Sequence, residues 1–140
     1  MVAAQCIQLG GQAIFLSPRD TQLGRGEPIA DSAIVMSRML DAVMIRTFAH
    51  ATLTEFAAHS RVPVINGLTD ELHPCQAMAD YFTLREVFGE LRGRKLAYVG
   101  DGNNVACSLM LGAAKAGMNV AVATPPGYEV SERYLELARQ

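Results

Sequence analysis

The sequence has few cysteines, no long apolar run and no excess of basic charge. Its three cysteines, in a chain of 140 residues, lie far apart without C-x-x-C spacing, which fits a reducing intracellular compartment better than a secreted disulfide framework. No apolar run approaches the roughly 18 residues of a membrane-spanning helix, and no basic segment precedes an apolar one at the N-terminus. The formal net charge is -2, with both signs interspersed, so no basic stripe favours nucleic acid. We therefore expect a soluble, cytoplasmic protein that binds neither nucleic acid nor membrane.

The residue types that hold metal ions are also sparse. The three histidines, His50, His59 and His73, show no ligand spacing among themselves or with cysteine, so we expect no metal site. Cys75 lies near a predicted helix start, but no general base and orienting partner accompany it, which argues against a catalytic thiol.

Short apolar segments alternate with helical patterns along the chain. The apolar segments are QAIFLS (12–17), DAVMIRT (41–47), VPVIN (62–66), KLAYVGD (95–101) and NVAVAT (119–124). Several lack strict polar alternation, which is typical of parallel strands covered on both faces. The pattern predicts an α/β fold, with a parallel sheet, helices on both faces and right-handed crossovers.

Proline and glycine mark the expected helix ends. Pro28 and Pro74 suit the first position of two helices, and Gly89 suits the left-handed end of the second. Residues 89–95, a polar stretch punctuated by glycine, form a candidate domain boundary, which divides the chain into 1–90 and 91–140. The polar loop 17–28 is longer than most connections, and such loops are often functional. Both chain ends fall inside helical patterns, which suggests a piece of a longer protein.

A candidate anion site lies at the start of the helix that Pro74 begins. His73 would take the cap position and Gln76 the first turn, where unpaired backbone N–H groups and the helix dipole favour an electron-rich oxygen. Arg46 ends a neighbouring apolar segment at the same edge of the expected sheet, and its planar guanidinium suits phosphate or carboxylate. Together these residues predict an oxyanion pocket. The alternatives are a His73 that bonds only its own loop, a Gln76 that faces solvent, and an Arg46 paired with nearby acids.

The segment YVGDGNNVACSL offers a second site. Its strand, Gly100-x-Gly102 and helix order resembles a dinucleotide fingerprint, but Val105 stands at the third glycine position and no acid ends the next strand. Asn103 and Asn104 provide amide groups suited to a zwitterionic amino acid, and one of them is expected to cap the helix.

Three segments then resemble one family in the right order. QLGRGEPIADSAIVMSRMLDAVMIRTF, VPVINGLTDELHPCQAMADY and YVGDGNNVACSL are similar to those of the aspartate/ornithine carbamoyltransferase family, across essentially the whole chain. The Gly-Asp-Gly-Asn-Asn run is the more selective motif and favours the ornithine type. The resemblance implies a Rossmann-like, carbamoyltransferase-like fold, with 1–90 as the C-terminal part of a carbamoyl phosphate-binding domain and 91–140 as the N-terminal part of an ornithine-binding domain.

The resemblance also implies roles for individual residues. Arg46, His73 and Gln76 would hold carbamoyl phosphate, with Arg46 and His73 in catalytic roles, and Asn104 would bind L-ornithine. Gln22 in the polar loop would reach carbamoyl phosphate in a neighbouring subunit of a homotrimer. The implied reaction forms L-citrulline and phosphate, within arginine biosynthesis or the urea cycle. It needs no cofactor, because positioning and electrostatics do the catalysis.

Two departures qualify the resemblance. The family's Ser-x-Arg-Thr-Arg segment, which grips phosphate, is absent upstream of Leu9, and its Asp…Ser-Met-Gly and His-Cys-Leu-Pro motifs would lie beyond Gln140. We therefore expect the isolated chain to be inactive or nearly so. Three alternatives stay open: a carbamoyltransferase for another amine such as acetylornithine or putrescine, a dinucleotide-binding module, and a non-catalytic assembly domain in which loop 17–28 is only a subunit contact.

Overall fold

Helices and parallel strands alternate in the structure, a computed structural model that describes residues 6–17 and 26–140. The helices are α1 (Ile29–Met36), α2 (His50–His59), α3 (Pro74–Phe88), α4 (Asn104–Ala116) and α5 (Glu132–Arg139). The strands are β1 (Val43–Arg46), β2 (Val64–Leu68), β3 (Lys95–Val99) and β4 (Asn119–Ala123). This confirms the predicted α/β class.

The strands form two separate parallel pairs. β1 pairs with β2 from Val43↔Val64 to Arg46↔Leu68, with a register shift just before Arg46. β3 pairs with β4 in continuous register from Lys95↔Asn119. One helix connects the strands of each pair, α2 in the first and α4 in the second. Each half is therefore a β-α-β unit whose strands end side by side at one edge.

One predicted strand is wrong. Residues 12–17 have no regular secondary structure, and their large apolar side chains are exposed to solvent, with Phe15 86% exposed. A strand needs a neighbour to satisfy its backbone groups, and no strand among residues 6–17 and 26–140 pairs with this segment.

The predicted helix starts are confirmed at one proline and shifted at the other. Pro74 is the first residue of α3, as expected. Pro28 instead precedes α1, at φ -57° and ψ 135°, outside the helical region. Gly89 follows α3 at φ 72° and ψ -120°, a positive φ that glycine reaches without steric cost, although this ψ lies outside the left-handed helical region predicted for it.

Helix α4 is the centre of the core. Its buried residues are Ala106, Cys107, Ser108, Leu109, Met110 and Ala113. Leu109 and Ala113 pack with Ala77 and Tyr81 of α3, while an adjacent face of α4 packs against α5 through Tyr134.

A glycine lets α3 and α4 approach closely. A side chain at Gly112 would collide with the ring of Tyr81, and the Tyr81 hydroxyl donates a hydrogen bond to the carbonyl oxygen of Leu109. Helix α3 follows β2 in the chain, and its packing against α4 joins the two β-α-β halves. Within the described ranges, no helix is long and apolar enough to cross a membrane.

Candidate functional site

The carboxyl ends of β1 and β2 form a continuous rim. Beyond the paired strands, Thr47 N–H donates to Leu68 O at 3.0 Å, and Asp70 N–H donates to Phe48 O at 2.8 Å. The two chain segments therefore stay side by side past Arg46. This places Arg46 next to the loop that leads from β2 into α3.

His73 begins α3 as predicted. It is the N-cap at φ -130° and ψ 66°, and its Nδ1 accepts the backbone N–H of Gln76 at 3.4 Å. The same N–H also donates to His73 O at 3.1 Å, and the tautomer that accepts it at Nδ1 carries its proton on Nε2. The imidazole can therefore offer an N–H donor to an oxygen outside the helix, as an oxyanion site requires.

Gln76 makes a different contact from the one expected. Its exposed side chain donates from Nε2 to Asp80 Oδ1 at 2.9 Å, one turn along the same helix. The helical position predicted for Gln76 is confirmed, but its amide is directed along α3 in this structure. A ligand that used Gln76 would have to replace this exposed i,i+4 contact, which is a weak one.

Arg46 carries a positive charge that no described residue compensates. Its side chain is exposed and makes no hydrogen bond or ion pair within residues 6–17 and 26–140. The acids considered as partners are Asp41, Asp70 and Glu71. Asp70 instead accepts the backbone N–H of His50 at 3.1 Å, Glu71 pairs with Arg133 at 3.2 Å, and Asp41 forms no ion pair with Arg46 within the described residues. The guanidinium is thus available for an anion at the rim.

The loop between β2 and α3 is fixed from inside by Thr69, a residue that the sequence analysis did not single out. Thr69 is fully buried. Its hydroxyl lies 3.0 Å from Nδ1 of His50 and accepts the N–H of Leu72 at 3.1 Å. A polar side chain directly after an apolar strand is the sequence signal that points to it. The result is a rigid connection between Arg46's strand pair and His73.

The two asparagines at the start of α4 divide their roles. Asn103 caps the helix, as expected for one of the pair, and accepts the N–H groups of Val105 and Ala106 at 2.9 and 3.1 Å. Asn104 reaches across to the other half, where its Nδ2 donates to Thr69 O at 2.7 Å. Asn104 therefore lies at the loop that presents His73.

Gly102, the second glycine before α4, makes room for another loop of the same chain. A Cβ atom at Gly102 would overlap the backbone of Glu129 and Val130, 2.6 Å from the Glu129 carbonyl oxygen. Gly102 N–H donates to Tyr128 O at 2.7 Å. The close approach that glycine permits is thus made by the chain's own loop after β4. This geometry argues against the dinucleotide interpretation, in which the pyrophosphate would use that space.

A second tie joins the β2–α3 loop to α5. Glu71 Oε2 accepts the hydroxyl of Tyr134 at 2.5 Å and Nη1 of Arg133 at 3.2 Å. Burial, and then the hydrogen bond to the Glu71 carboxylate, raise the pKa of Tyr134 to about 12. Both effects keep the phenol protonated, so the tie persists at neutral pH.

The remaining predicted features are placed as follows. Gln22 lies outside the described residues. Cys75, within the first turn of α3, donates from Sγ to Asn66 O at 3.3 Å, and burial raises the pKa of Cys107. In the part of the chain that the structure describes, no group of three or more His, Cys, Asp or Glu side chains could hold a metal ion.

Comparisons with known proteins agree on one family. Residues 2–86 match the carbamoyl-P binding domain of the family described as aspartate/ornithine carbamoyltransferase, and residues 92–140 match its Asp/Orn binding domain. The chain is 65% identical to the anabolic ornithine carbamoyltransferase of Pseudomonas aeruginosa over 135 residues, which cover 96% of this chain and 44% of that protein. The chain thus spans less than half the length of the curated relatives it matches.

Solved structures show the same likeness. The ornithine carbamoyltransferase of Pyrococcus furiosus superimposes with a TM-score of 0.92 at 51% identity, over 97% of this chain and 44% of that one. An N-acetyl-L-ornithine transcarbamylase superimposes with a TM-score of 0.83 at 34% identity, over 99% of this chain and 50% of that one.

Proposed function

Because this chain belongs to the aspartate/ornithine carbamoyltransferase family, we propose that the protein containing it transfers a carbamoyl group from carbamoyl phosphate to L-ornithine. The products are L-citrulline and phosphate. The observation that carries the proposal is the rim, where Arg46, which pairs with no described residue, ends β1 and His73 follows the neighbouring β2, beside Asn104 of the second half. A small anion and an amine substrate could meet there.

The site residues divide by substrate. Arg46 binds the phosphate and the carbonyl oxygen, and His73 and Gln76 bind the carbamoyl group, Gln76 after leaving Asp80. Asn104 binds ornithine. Supporting this division, the first family match ends at residue 86 and the second begins at residue 92. On this basis, 1–90 belongs to the carbamoyl phosphate domain and 91–140 to the ornithine domain.

The chemistry requires a neutral amine and a stabilised oxyanion. The side-chain nitrogen of ornithine attacks the carbamoyl carbon, and the carbonyl π electrons move onto oxygen. The tetrahedral intermediate then expels phosphate, which leaves with the electrons of the C–O bond, while the nitrogen loses a proton. Arg46 and the His73 Nε2–H stabilise the oxyanion, and the loss of one such donor typically costs about 3–4 kcal/mol of barrier.

The assembly and location follow from the same proposal. Gln22 from the 17–28 loop completes the carbamoyl phosphate site of a neighbouring subunit in a homotrimer. The protein acts in the cytoplasm, in arginine biosynthesis, and uses no metal or organic cofactor. Light scattering would measure the trimer, and Gln22→Ala should weaken carbamoyl phosphate binding in assembled trimers. A variant that altered assembly alone would favour the assembly-domain alternative.

The direct test is citrulline formation by the protein that contains this chain. Ornithine, N-acetylornithine and putrescine should be compared as acceptors, with ornithine expected to give the highest kcat/KM. Acetylornithine is the second candidate, because the transcarbamylase structure for that substrate superimposes closely. A higher kcat/KM with acetylornithine would replace ornithine as the substrate, and no transfer to any of the three amines would refute the proposal.

A further inference from the structure

Ser108 is a polar residue inside the buried stretch of α4. It is only 5% exposed and lies between Cys107 and Leu109, both of which are buried. Its hydroxyl accepts the backbone N–H of His73 at 2.8 Å, across 35 residues of sequence, and donates to Asn104 O at 2.7 Å. A buried hydroxyl therefore stands between the backbones of two proposed substrate-binding residues.

The directions of these two bonds are fixed by chemistry. A backbone N–H can only donate and a carbonyl oxygen can only accept, so the single proton of the hydroxyl must point to Asn104. His73 caps α3, and its own N–H therefore has no partner within that helix. Ser108 supplies the missing acceptor from a different helix.

A second bond runs parallel to the first. Asn104 Nδ2 donates to Thr69 O at 2.7 Å, four residues before His73, and Ser108 lies four residues after Asn104. The β2–α3 loop is therefore joined to the first two turns of α4 at both of its ends. A shift of the His73 backbone relative to Asn104 would break one or both bonds.

We infer that Ser108 is a positioning residue, which holds His73 in register with Asn104 and so aligns the carbamoyl group with the attacking amine. The inference rests on the proposed function. Ser108 itself touches neither substrate and acts through the two residues that it connects. Alignment of this kind matters because a displacement of about 1 Å can reduce turnover by about a hundredfold.

The chain offers a control in Ser37, a half-buried serine directly after α1. The Ser37 hydroxyl also donates to the carbonyl four residues earlier, Ala33 O at 2.6 Å, and accepts a backbone N–H from a distant loop, that of Arg61 at 3.0 Å. Arg61 lies before β2, whereas His73 lies after it. Ser37→Ala therefore removes a corresponding pair of hydrogen bonds at the other end of β2, together with the contact between the Ser37 and Ser60 hydroxyls at 3.1 Å.

The experiment compares Ser108→Ala with Ser37→Ala in the protein that contains this chain, well below the unfolding temperature of either variant. We expect Ser108→Ala to lower kcat by about tenfold to a hundredfold, with the KM for carbamoyl phosphate changed less than kcat. Ser37→Ala should keep kcat within about twofold of the unaltered protein, since any lost stability there does not reach the rim. Ser108→Thr, which keeps a hydroxyl able to bond the preceding turn, should restore most of the rate.

The other possible results either support or overturn the role inferred for Ser108. If Ser108→Ala fails to fold, the nearly isosteric Ser108→Cys, a much weaker hydrogen-bonding group, should fold and show the lowered kcat. Equal kcat values for the Ser108 and Ser37 variants would overturn the inference, as would a Ser108→Cys variant that also fails to fold. If the unaltered protein forms no citrulline, the proposed function fails and this inference with it. If the unaltered protein is active and Ser108→Ala is equally active, only the inference fails.

Discussion

The amide nitrogen of Asn104 lies 2.7 Å from the carbonyl oxygen of Thr69 and thereby joins the two β-α-β halves. Thr69 is fully buried, so its carbonyl has little access to water as a substitute. We expect Asn104→Ala to lower the free energy of unfolding by about 1–3 kcal/mol and to raise the KM for ornithine. Urea unfolding and steady-state kinetics measure the two effects.

Asn119→Ala is the control for that prediction. Asn119 is exposed, and its amide donates to Gly93 O at 3.5 Å, so its replacement should change the free energy of unfolding by less than about 0.5 kcal/mol. Equal destabilisation by the two substitutions would show that the Asn104 bond does not hold the halves together.

The guanidinium of Arg46, which pairs with no described residue, predicts a loss of binding without a loss of stability on substitution. Arg46→Ala should leave the free energy of unfolding within about 0.5 kcal/mol, because no partner within the described residues loses a contact. Binding of carbamoyl phosphate, measured by titration calorimetry, should weaken by at least tenfold. Arg61→Ala, at the other end of the β2 strand, should leave binding unchanged. Comparable weakening by both variants would indicate a general charge effect instead of a site.

Any side chain introduced at Gly102 is expected to clash with the neighbouring backbone and to destabilise the protein. Gly102→Ala would push a Cβ into the backbone of residues 129–130, so we expect a loss of about 1–3 kcal/mol or more in unfolding free energy. Gly93→Ala has open space around the new Cβ but a φ of 77°, which costs about 1–2 kcal/mol. Thermal unfolding should show the larger loss for Gly102→Ala, and the reverse order would mean that the 127–130 loop yields easily.

The buried tyrosines predict a loss of stability in alkali. The pKa of Tyr81 is raised to about 12, mainly by burial and then by nearby Asp80, and that of Tyr134 is also raised to about 12. The unfolded chain releases these phenolic protons near pH 10.0, before the folded protein does. The free energy of unfolding should therefore be insensitive to both groups below pH 10 and fall as the pH rises toward 12.

Denaturant unfolding at several pH values tests this prediction. A Tyr81→Phe/Tyr134→Phe double variant should lose less stability between pH 10 and 12 than the unaltered protein does. Tyr128→Phe removes an exposed hydroxyl and should leave the alkaline loss in place. An identical alkaline slope in the double variant and the unaltered protein would contradict the prediction.

Sequence patterns correctly predicted the features that depend on only a few neighbouring residues. Pro74 fixes the start of α3 because proline lacks the N–H that the first turn cannot use. The apolar segments at β1 to β4 predicted strands because short runs rich in Val, Ile and Ala are typical of parallel strands. The same reasoning failed for residues 12–17, since an apolar pattern states what a segment can form but not whether another strand lies beside it.

The hydrogen-bond partners of the side chains at the rim could not be predicted from the sequence. The sequence indicated that Arg46, His73 and Asn104 end up at strand ends, and the structure brings the loops that carry them together. The sequence could not show that the Gln76 side chain donates a hydrogen bond to Asp80, or that Gly102 makes room for the protein's own 127–130 loop. Gln22 lies outside the described residues, so its role stays a prediction.

The sequence by itself determined the order of strands and helices from residue 29 onward and the cap of α3, because periodicity and proline geometry act over a few residues. Only the tertiary structure decided that Thr69 and Ser108 hold the two halves in register. Hydrogen bonds across 35 residues of sequence depend on how α3 packs against α4, and that packing is a property of the whole core.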